Sequence, residues 1–243
     1  MGTNNKANDY SGVDLHAMEA AKNQNEWLMR EFRPYLGEHV CEVGAGQGNL
    51  TSQLLNESIS SLTSFEPSDA MHVKLKQKFN DAESFAAIHG TINPRDSSYE
   101  GAFNSMVYIN VLEHIEDDRK ELEEVHRCLQ DNGFLLIYVP ALRWLYSDFD
   151  KRIGHYRRYH KNELIELVQN VSFKIIQARY VDISGIIPWY VAMVVLKKNL
   201  NPFTVMLYDS LVFPVSKSLE SVVTPPIGKN ILLIAQKREF SER

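Results

Sequence analysis

The chain has 243 residues, of which 44% are hydrophobic and 23% charged, and its formal net charge is −5. This composition is typical of a globular domain, and the negative charge argues against nucleic acid as a partner, because nucleic-acid-binding domains usually carry a basic face. The two cysteines, Cys41 and Cys128, exclude a disulfide framework, and we expect both thiols to be buried in a cytoplasmic protein.

No targeting or membrane-spanning segment is expected. The first residues, Met1 to Asp9, are polar and contain no apolar run. The longest apolar stretch, Ile183 to Leu196, is interrupted by serine, glycine and proline and is too short to cross a bilayer.

Apolar residues at helical spacing predict an amphipathic helix from Leu15 to Phe32, within an N-terminal segment 1–37. A helix ahead of the first strand can lie over a ligand pocket as a lid. Tyr10 and Trp27 are its candidate ligand contacts, although a core position is favoured for Trp27.

A short apolar strand beginning at Val40 leads into three glycines spaced two residues apart, Gly44, Gly46 and Gly48. Glycine lets the backbone turn sharply and approach a ligand closely, and the amides of the following helix then point at that ligand. We therefore predict a cofactor loop at the carboxyl end of a parallel strand. A dinucleotide fingerprint would have its third glycine one residue later, at Asn49, which disfavours an NAD-dependent oxidoreductase.

The next predicted strand runs from Ser61 to Phe65 and ends at Glu66. An acidic residue about 20 residues beyond the glycines can accept hydrogen bonds from both hydroxyls of a cofactor ribose. Helices and strands alternate along the rest of the chain, which predicts a doubly wound, mostly parallel α/β sheet. The predicted helices are Asn49–Asn56, Ser68–Phe79, Asp117–Gln130 and Lys161–Asn170, and the further strands are Ser84–Ile88, Phe103–Ile109, Phe134–Val139, Phe173–Tyr180 and Ile231–Gln236.

Two motifs together resemble those of the class I S-adenosylmethionine (SAM)-dependent methyltransferases. The first is E-x-G-x-G-x-G, here Glu42 to Gly48, and the second is N-V-L-E-H after the fourth strand, here Asn110 to His114. The order of elements from Val40 to Val139 also matches that family. The resemblance implies a Rossmann-like, seven-stranded sheet whose last strand is antiparallel, SAM as the cofactor, and a small-molecule methyl acceptor.

The resemblance also implies a set of cofactor contacts. They are Glu42, Gly44, Ala45, Gly46, Asn49, Glu66, Pro67, Thr91, Ile92, Asn110 and Val111. The family often has an acidic residue at the position of Thr91, where it receives the adenine amino group. Here Asp96, or backbone groups near Ile92, are the alternatives for that role.

The resemblance further implies that His114 lies beside the transferred methyl group. An imidazole with a pKa near 6.5 can act as a general base at neutral pH, and a purely structural role for His114 is the alternative. We expect His114, His155 and Tyr146 as catalytic groups and predict no metal ligand.

The segment from Pro140 to His160 is rich in arginine and aromatic residues and follows the fifth strand, so it faces the same crevice. Its G-H-Y-R-R-Y run, here Gly154 to Tyr159, resembles a signature in one branch of bacterial methyltransferases. We expect it to bind the acceptor, with an arginine on an anionic group. The predicted acceptor contacts are Tyr10, Tyr146, His155, Arg157, Arg158 and Tyr159. Alternatively, either arginine pairs with Asp148 or Asp150 and holds the segment shut.

The stretch 181–229 is apolar and contains several prolines, which predicts short helices broken by proline. A lid that forms an apolar acceptor pocket is favoured over a homodimer interface, and lipid contact is ranked last. The predicted units are thus the lid helix 1–37, the SAM-binding core 38–180, the insertion 181–229 and the last core strand with its tail, 230–243.

The predicted function is transfer of a methyl group from SAM to an oxygen, nitrogen or carbon nucleophile. The acceptor is a metabolite, lipid or glycan intermediate that can be anionic and partly apolar. A SAM-binding partner or scaffold without catalysis, and an NAD-dependent oxidoreductase, are the alternatives.

Overall fold

The computed structural model describes residues 20–93 and 96–238. Its centre is a seven-stranded sheet with the order β3-β2-β1-β4-β5-β7-β6. The strands are β1 (His39–Val43), β2 (Ser61–Glu66), β3 (Phe85–His89), β4 (Phe103–Ile109), β5 (Leu129–Pro140), β6 (Phe173–Val181) and β7 (Asn230–Lys237). Strand β7 is antiparallel to both β5 and β6, and the other pairs are parallel. The predicted fold class is confirmed.

Helices connect the strands and cover the sheet. They are α1 (Lys22–Phe32), α2 (Thr51–Leu54), α3 (Asp69–Lys78), α4 (Asp118–Cys128), α5 (Asp148–Arg152), α6 (Lys161–Gln169), α7 (Ile186–Trp189), α8 (Pro202–Leu207) and α9 (Phe213–Glu220). Two π-helical stretches, Tyr190–Val195 and Tyr208–Val212, follow α7 and α8. The helix predicted over Asn49–Asn56 is shorter in the structure, because only Thr51–Leu54 is α-helical.

The sheet separates two hydrophobic clusters, one on each face. Strand β5 supplies residues to both, because its apolar run is continuous: Leu135 and Ile137 belong to one cluster, and Leu136 and Tyr138 to the other. The strand predicted over Phe134–Val139 is longer in the structure, because it already begins at Leu129 and passes through a register irregularity opposite β4.

Helix α1 packs on one face of the sheet through Trp27, which is 7% exposed and contacts the rings of Tyr138 and Phe213. The favoured core position of Trp27 is confirmed. The first part of the helix predicted from Leu15, and Tyr10 with it, lies outside the described residues. Both cysteines are buried free thiols, as expected.

The insertion after β6 consists of the short helices expected from its prolines, and Pro202 and Pro214 lie in the first turns of α8 and α9. Most of the exposed large hydrophobic side chains among the described residues belong to it, including Ile187 at 73% and Leu219 at 69% exposure. Nowhere in residues 20–93 and 96–238 is a helix both long and apolar enough to cross a membrane.

Candidate functional site

The order of the strands reverses between β1 and β4, and ligands of open α/β sheets bind at such a point. The loop after β1 begins at Gly44, whose N–H donates to the carbonyl of Phe65 at 2.8 Å. Gly44 has a φ of +72°, and a Cβ there would lie 2.5 Å from Cγ2 of Val111. The glycine therefore brings the β1 loop into contact with the loop after β4.

Gly48 has a different reason to be glycine. A Cβ at this position would lie 2.4 Å from Cε2 of Phe79 and 2.8 Å from Cδ1 of Leu75, on or just after α3. The third glycine of the motif thus lets α3 pack against the loop. Between the glycines, Ala45 is buried, and after them Asn49 is partly exposed.

Glu66 lies at the end of β2 and is 5% exposed. Its carboxylate accepts the N–H of Gly46 at 2.7 Å and that of Ser68 at 2.8 Å, and Pro67 lies between Glu66 and Ser68 in the chain. Burial raises the pKa of Glu66, and these two hydrogen bonds oppose the rise. Because each carboxylate oxygen has two lone pairs, one remains on each oxygen for a ligand hydroxyl.

Glu42, one residue before the end of β1, is buried below the loop. One of its oxygens accepts the hydroxyls of Thr51 at 2.6 Å and Ser64 at 2.7 Å, so the carboxylate ties α2 and β2 to β1. Burial raises the pKa of Glu42 to about 7, although both hydrogen bonds favour the charged form.

Replacing Glu42 with glutamine is expected to change how stability depends on pH. Between pH 4.5 and about 7 the folded chain retains a proton that the unfolded chain has lost, so stability falls as the pH rises through this window. The difference corresponds to roughly 3 kcal/mol. Urea unfolding of both proteins at pH 5 and pH 8 should therefore show Glu42→Gln gaining up to roughly 3 kcal/mol relative to the parent at the higher pH. Parallel pH profiles would contradict this account.

The loop after β4 begins with a left-handed backbone conformation. Asn110 has a φ of +52°, and its N–H donates to the carbonyl of Tyr138 at 2.8 Å. Asparagine is one of the few residues that adopt this backbone conformation readily. Val111 and a single 3₁₀ turn, Leu112–His114, follow.

The residues predicted for the adenine side follow the end of β3. Ile92 is buried and Thr91 is exposed. Asp96, the alternative adenine partner, uses one oxygen to accept both the N–H and the hydroxyl of Ser98. That carboxylate therefore caps its own 3₁₀ turn in this structure.

The β4 loop and the segment 140–160 meet at Glu113, His114 and His155. The rings of the two histidines are perpendicular with centroids 4.5 Å apart, and Nε2 of His155 lies 3.7 Å from an oxygen of Glu113. Burial raises the pKa of Glu113 to about 7 and lowers that of His114 to about 3, with His155 contributing to the second shift. His114 is therefore a neutral imidazole at neutral pH.

Asp150 organises the segment 140–160 from a fully buried position. It accepts hydrogen bonds from Nδ1 of His155 at 3.0 Å, from Nε of Arg158 at 2.8 Å, and from the hydroxyl of Ser147 at 2.7 Å. Burial alone would raise the pKa of Asp150, but these partners hold it below its ordinary value. Arg158 is only 3% exposed and also stacks on the ring of Trp189 from the insertion, at 4.6 Å.

The other side chains predicted to contact the methyl acceptor also form hydrogen bonds or ion pairs within the protein. Arg157 pairs with Asp118 and donates to the carbonyl of Glu116. The hydroxyl of Tyr146 donates to the carbonyl of His155 at 2.7 Å, and that of Tyr159 donates to Asp118 at 2.9 Å. Arg158 forms an ion pair with Asp150, which was the alternative to a contact with the methyl acceptor.

Glu113 and Trp189 belong to this site although the sequence did not single them out. Glu113 lies inside the N-V-L-E-H motif, so its position next to His114 could have identified it as a candidate site residue. The indole N–H of Trp189 donates to the carbonyl of Leu145 at 3.2 Å, and its ring stacks on the guanidinium of Arg158. No local sequence pattern predicts either contact.

Comparisons with known proteins identify the family and the fold. A methyltransferase-domain family matches residues 15–178, more than half of the chain. The chain is 32% identical over 107 residues to the reducing polyketide synthase Preu2 of Preussia isomera; the match covers 42% of the chain but only about 5% of that much longer protein.

Two solved structures illustrate the fold. Phosphoethanolamine N-methyltransferase 2 of Haemonchus contortus in complex with SAM is 14% identical, with a TM-score of 0.65 over 96% of this chain and 60% of that one. A putative methyltransferase in complex with the Trm112 activator of Haloferax volcanii is 13% identical, with a TM-score of 0.64 over 98% and 100% of the two chains. The matched family, the strand order and the glycine loop together identify the chain as a member of the class I SAM-dependent methyltransferases.

Proposed function

We propose that this protein transfers the methyl group of SAM to an oxygen, nitrogen or carbon nucleophile of a small molecule. The observation that carries the proposal is the convergence of three loops at the point where the strand order reverses. Gly44 contacts Val111, and Gly46 donates to Glu66, so the β1, β2 and β4 loops form one continuous surface. The two family motifs fall on the β1 and β4 loops, and Glu66 lies at the start of the β2 loop.

The residues of this surface fit SAM. When bound, the cofactor supplies a methyl group made electrophilic by its sulfonium. We assign the ribose hydroxyls to Glu66, and the methionine end to the backbone of Gly44, Ala45 and Gly46 together with Asn110 and Val111. Pro67, Thr91 and Ile92 are assigned to the adenine side, and Glu42 and Asn49 support the loop. Alignment of two reactants in this way supplies about 7–11 kcal/mol of a barrier in favourable cases.

His114, His155 and Tyr146 remain our proposed active-site groups, with different roles. The hydroxyl of Tyr146 binds the backbone of His155, so Tyr146 positions the segment. The low pKa of His114 makes it a weak proton acceptor but keeps its ring neutral. A carboxylate acceptor needs no base at all, whereas an alcohol must lose a proton.

The insertion supports an acceptor with an apolar part. It reaches the segment 140–160 through Trp189 and through the ion pair between Lys197 and Asp148 at 2.9 Å, so it can cover the crevice. The alternative role of the insertion is to form a homodimer interface through its exposed apolar side chains. Of the two arginines, only Arg157, whose side chain is 29% exposed, is accessible to an anionic group.

Calorimetric titration of the protein with SAM, its demethylated product and NAD tests the proposal. We expect heat with the first two ligands and none with NAD. Glu66→Ala should weaken SAM binding about 10- to 100-fold, because hydrogen bonds to a charged group contribute about 1.5–3 kcal/mol. Asp69→Ala is the matched control, since that carboxylate is 75% exposed on α3. The proposal is wrong if SAM gives no heat, or if the two variants lose affinity equally.

Turnover is the second measurement. SAM consumption with panels of alcohols, amines and carboxylic acids, each with and without an apolar chain, distinguishes the acceptor classes. Binding of SAM without turnover of any acceptor would favour the non-catalytic alternative.

A further inference from the structure

The carboxylate of Glu113 is buried without a donor. Glu113 is 0% exposed, and neither of its oxygens accepts a hydrogen bond from another residue in the described part of the chain. Nε2 of His155 is 3.7 Å away, beyond hydrogen-bonding distance. A buried carboxylate without a hydrogen-bond donor is costly when charged, and a bound cation is one group that would compensate it.

Two imidazoles stand beside this carboxylate. One ligand atom each from Glu113, His114 and His155 can be chosen so that all three lie within 4.8 Å of one another. Two histidines and one carboxylate are a typical three-ligand set for zinc and neighbouring transition metals, with a further position open to water or substrate. A tetrahedral ion with bonds of about 2.1 Å holds its ligand atoms about 3.4 Å apart, so side-chain shifts of about 1 Å would complete the site.

The surroundings of His155 have the form of a metal site's outer shell. Nδ1 of His155 lies 3.0 Å from Asp150, which directs Nε2 towards Glu113. Histidine ligands usually donate their second nitrogen to a carboxylate in this way. Asp150 is itself held by Arg158 and Ser147, so the ring is fixed before any ion arrives.

We propose that Glu113, His114 and His155 bind one divalent first-row transition-metal ion of the zinc type. The sequence alone indicates no metal site, because Glu113 and His114 are adjacent on one loop and His155 follows 41 positions later. The site lies beside the predicted methionine end of SAM, since Val111, three residues before His114, contacts Gly44.

The role of the ion rests on the proposed function. It restricts the methyl acceptor to a molecule that can bind the metal ion through an oxygen atom. Bound at the open position, an acceptor hydroxyl loses its proton to solvent more readily, because a metal ion stabilises the alkoxide. The oxygen then forms the C–O bond with its own electron pair, and the electrons of the broken S–CH₃ bond return to sulfur. No further oxidant or reductant is required.

Titration of the metal-stripped full chain with Co²⁺, followed by visible absorption and by displacement with Zn²⁺, tests the inference. We expect one ion per chain with the absorption of a four- or five-coordinate nitrogen and oxygen site. Glu113→Gln and His155→Gln should each weaken binding by at least about 100-fold, since each removes one of three ligands. His89→Gln is the matched control, because His89 lies near a carboxylate and another histidine on the surface, with Asp69 at 3.0 Å. Thermal unfolding of each variant verifies that it is folded.

X-ray absorption of the zinc-loaded parent protein gives a second result that needs no variant. Two imidazoles and one carboxylate around the ion support the proposal, and a shell of water or sulfur overturns it. Unchanged affinity in both ligand variants, or substoichiometric binding, also overturns it. SAM calorimetry on the metal-stripped protein distinguishes failure of the metal site from failure of the proposed function. If the protein binds SAM but no metal ion, only the metal site is contradicted. If it does not bind SAM, the proposed function is contradicted, whether or not a metal ion binds.

Discussion

Replacing Gly44 with alanine is expected to weaken SAM binding by at least about 100-fold, which is roughly 2.7 kcal/mol. A Cβ at this position would lie 2.5 Å from Cγ2 of Val111 and 3.2 Å from its Cγ1, and the backbone φ of +72° disfavours any side chain. Either the β1 loop or the β4 loop must therefore move. Both loops belong to the proposed cofactor surface, so the displacement affects the ligand directly.

Gly101→Ala is the matched control for this prediction. Gly101 has a φ of +58°, and a Cβ there would meet nothing within 4 Å. It should thus cost about 1–2 kcal/mol of stability from backbone strain and leave SAM affinity unchanged. In the double variant Gly44→Ala/Val111→Ala the clash is removed, and part of the affinity should return. Parent-like SAM affinity in Gly44→Ala would mean that the β1 loop does not contact the cofactor.

Replacing Asp150 with asparagine is expected to destabilise the fold by about 3–5 kcal/mol, the usual cost of leaving one partner of a buried ion pair alone. Asp150 is fully buried and receives two bonds from the Arg158 guanidinium, which is itself 3% exposed. Asparagine has a similar shape but cannot neutralise that charge. Urea unfolding at a fixed pH measures the loss.

Asp148→Asn is the control within the same helix. Asp148 is 57% exposed and pairs with an exposed lysine, Lys197, so its replacement should cost less than about 1 kcal/mol. A double variant that also replaces Arg158 with methionine should recover part of the loss, since no unpaired buried charge remains. Equal losses at positions 148 and 150 would contradict the role assigned to the buried pair.

The sequence by itself determined the architecture of the core and the positions of the loops that carry the family motifs. Strand β4 has the predicted boundaries, Phe103–Ile109, and Glu66 ends β2 as expected. These features depend on local signals: a run of apolar residues fixes a buried strand, a glycine permits a positive φ, and an acidic residue at a strand end stays near the ligand edge. Each signal lies within a few residues, so it can be recognised without knowing what packs against it.

Only the tertiary structure decided the roles of the charged and aromatic side chains around the segment 140–160. Arg158 could bind an acceptor or pair with an aspartate, and Asp150 decides between them because burial makes an unpaired guanidinium too costly. Likewise, Glu113 and His155 are in contact although they are 42 positions apart in the sequence. Trp189 stacks on Arg158, which lies 31 positions before it. A charged or aromatic side chain has several possible partners in the sequence. Which of them it meets depends on burial and distance in the folded chain, and those are set by the packing of the insertion and the segment 140–160 over the sheet.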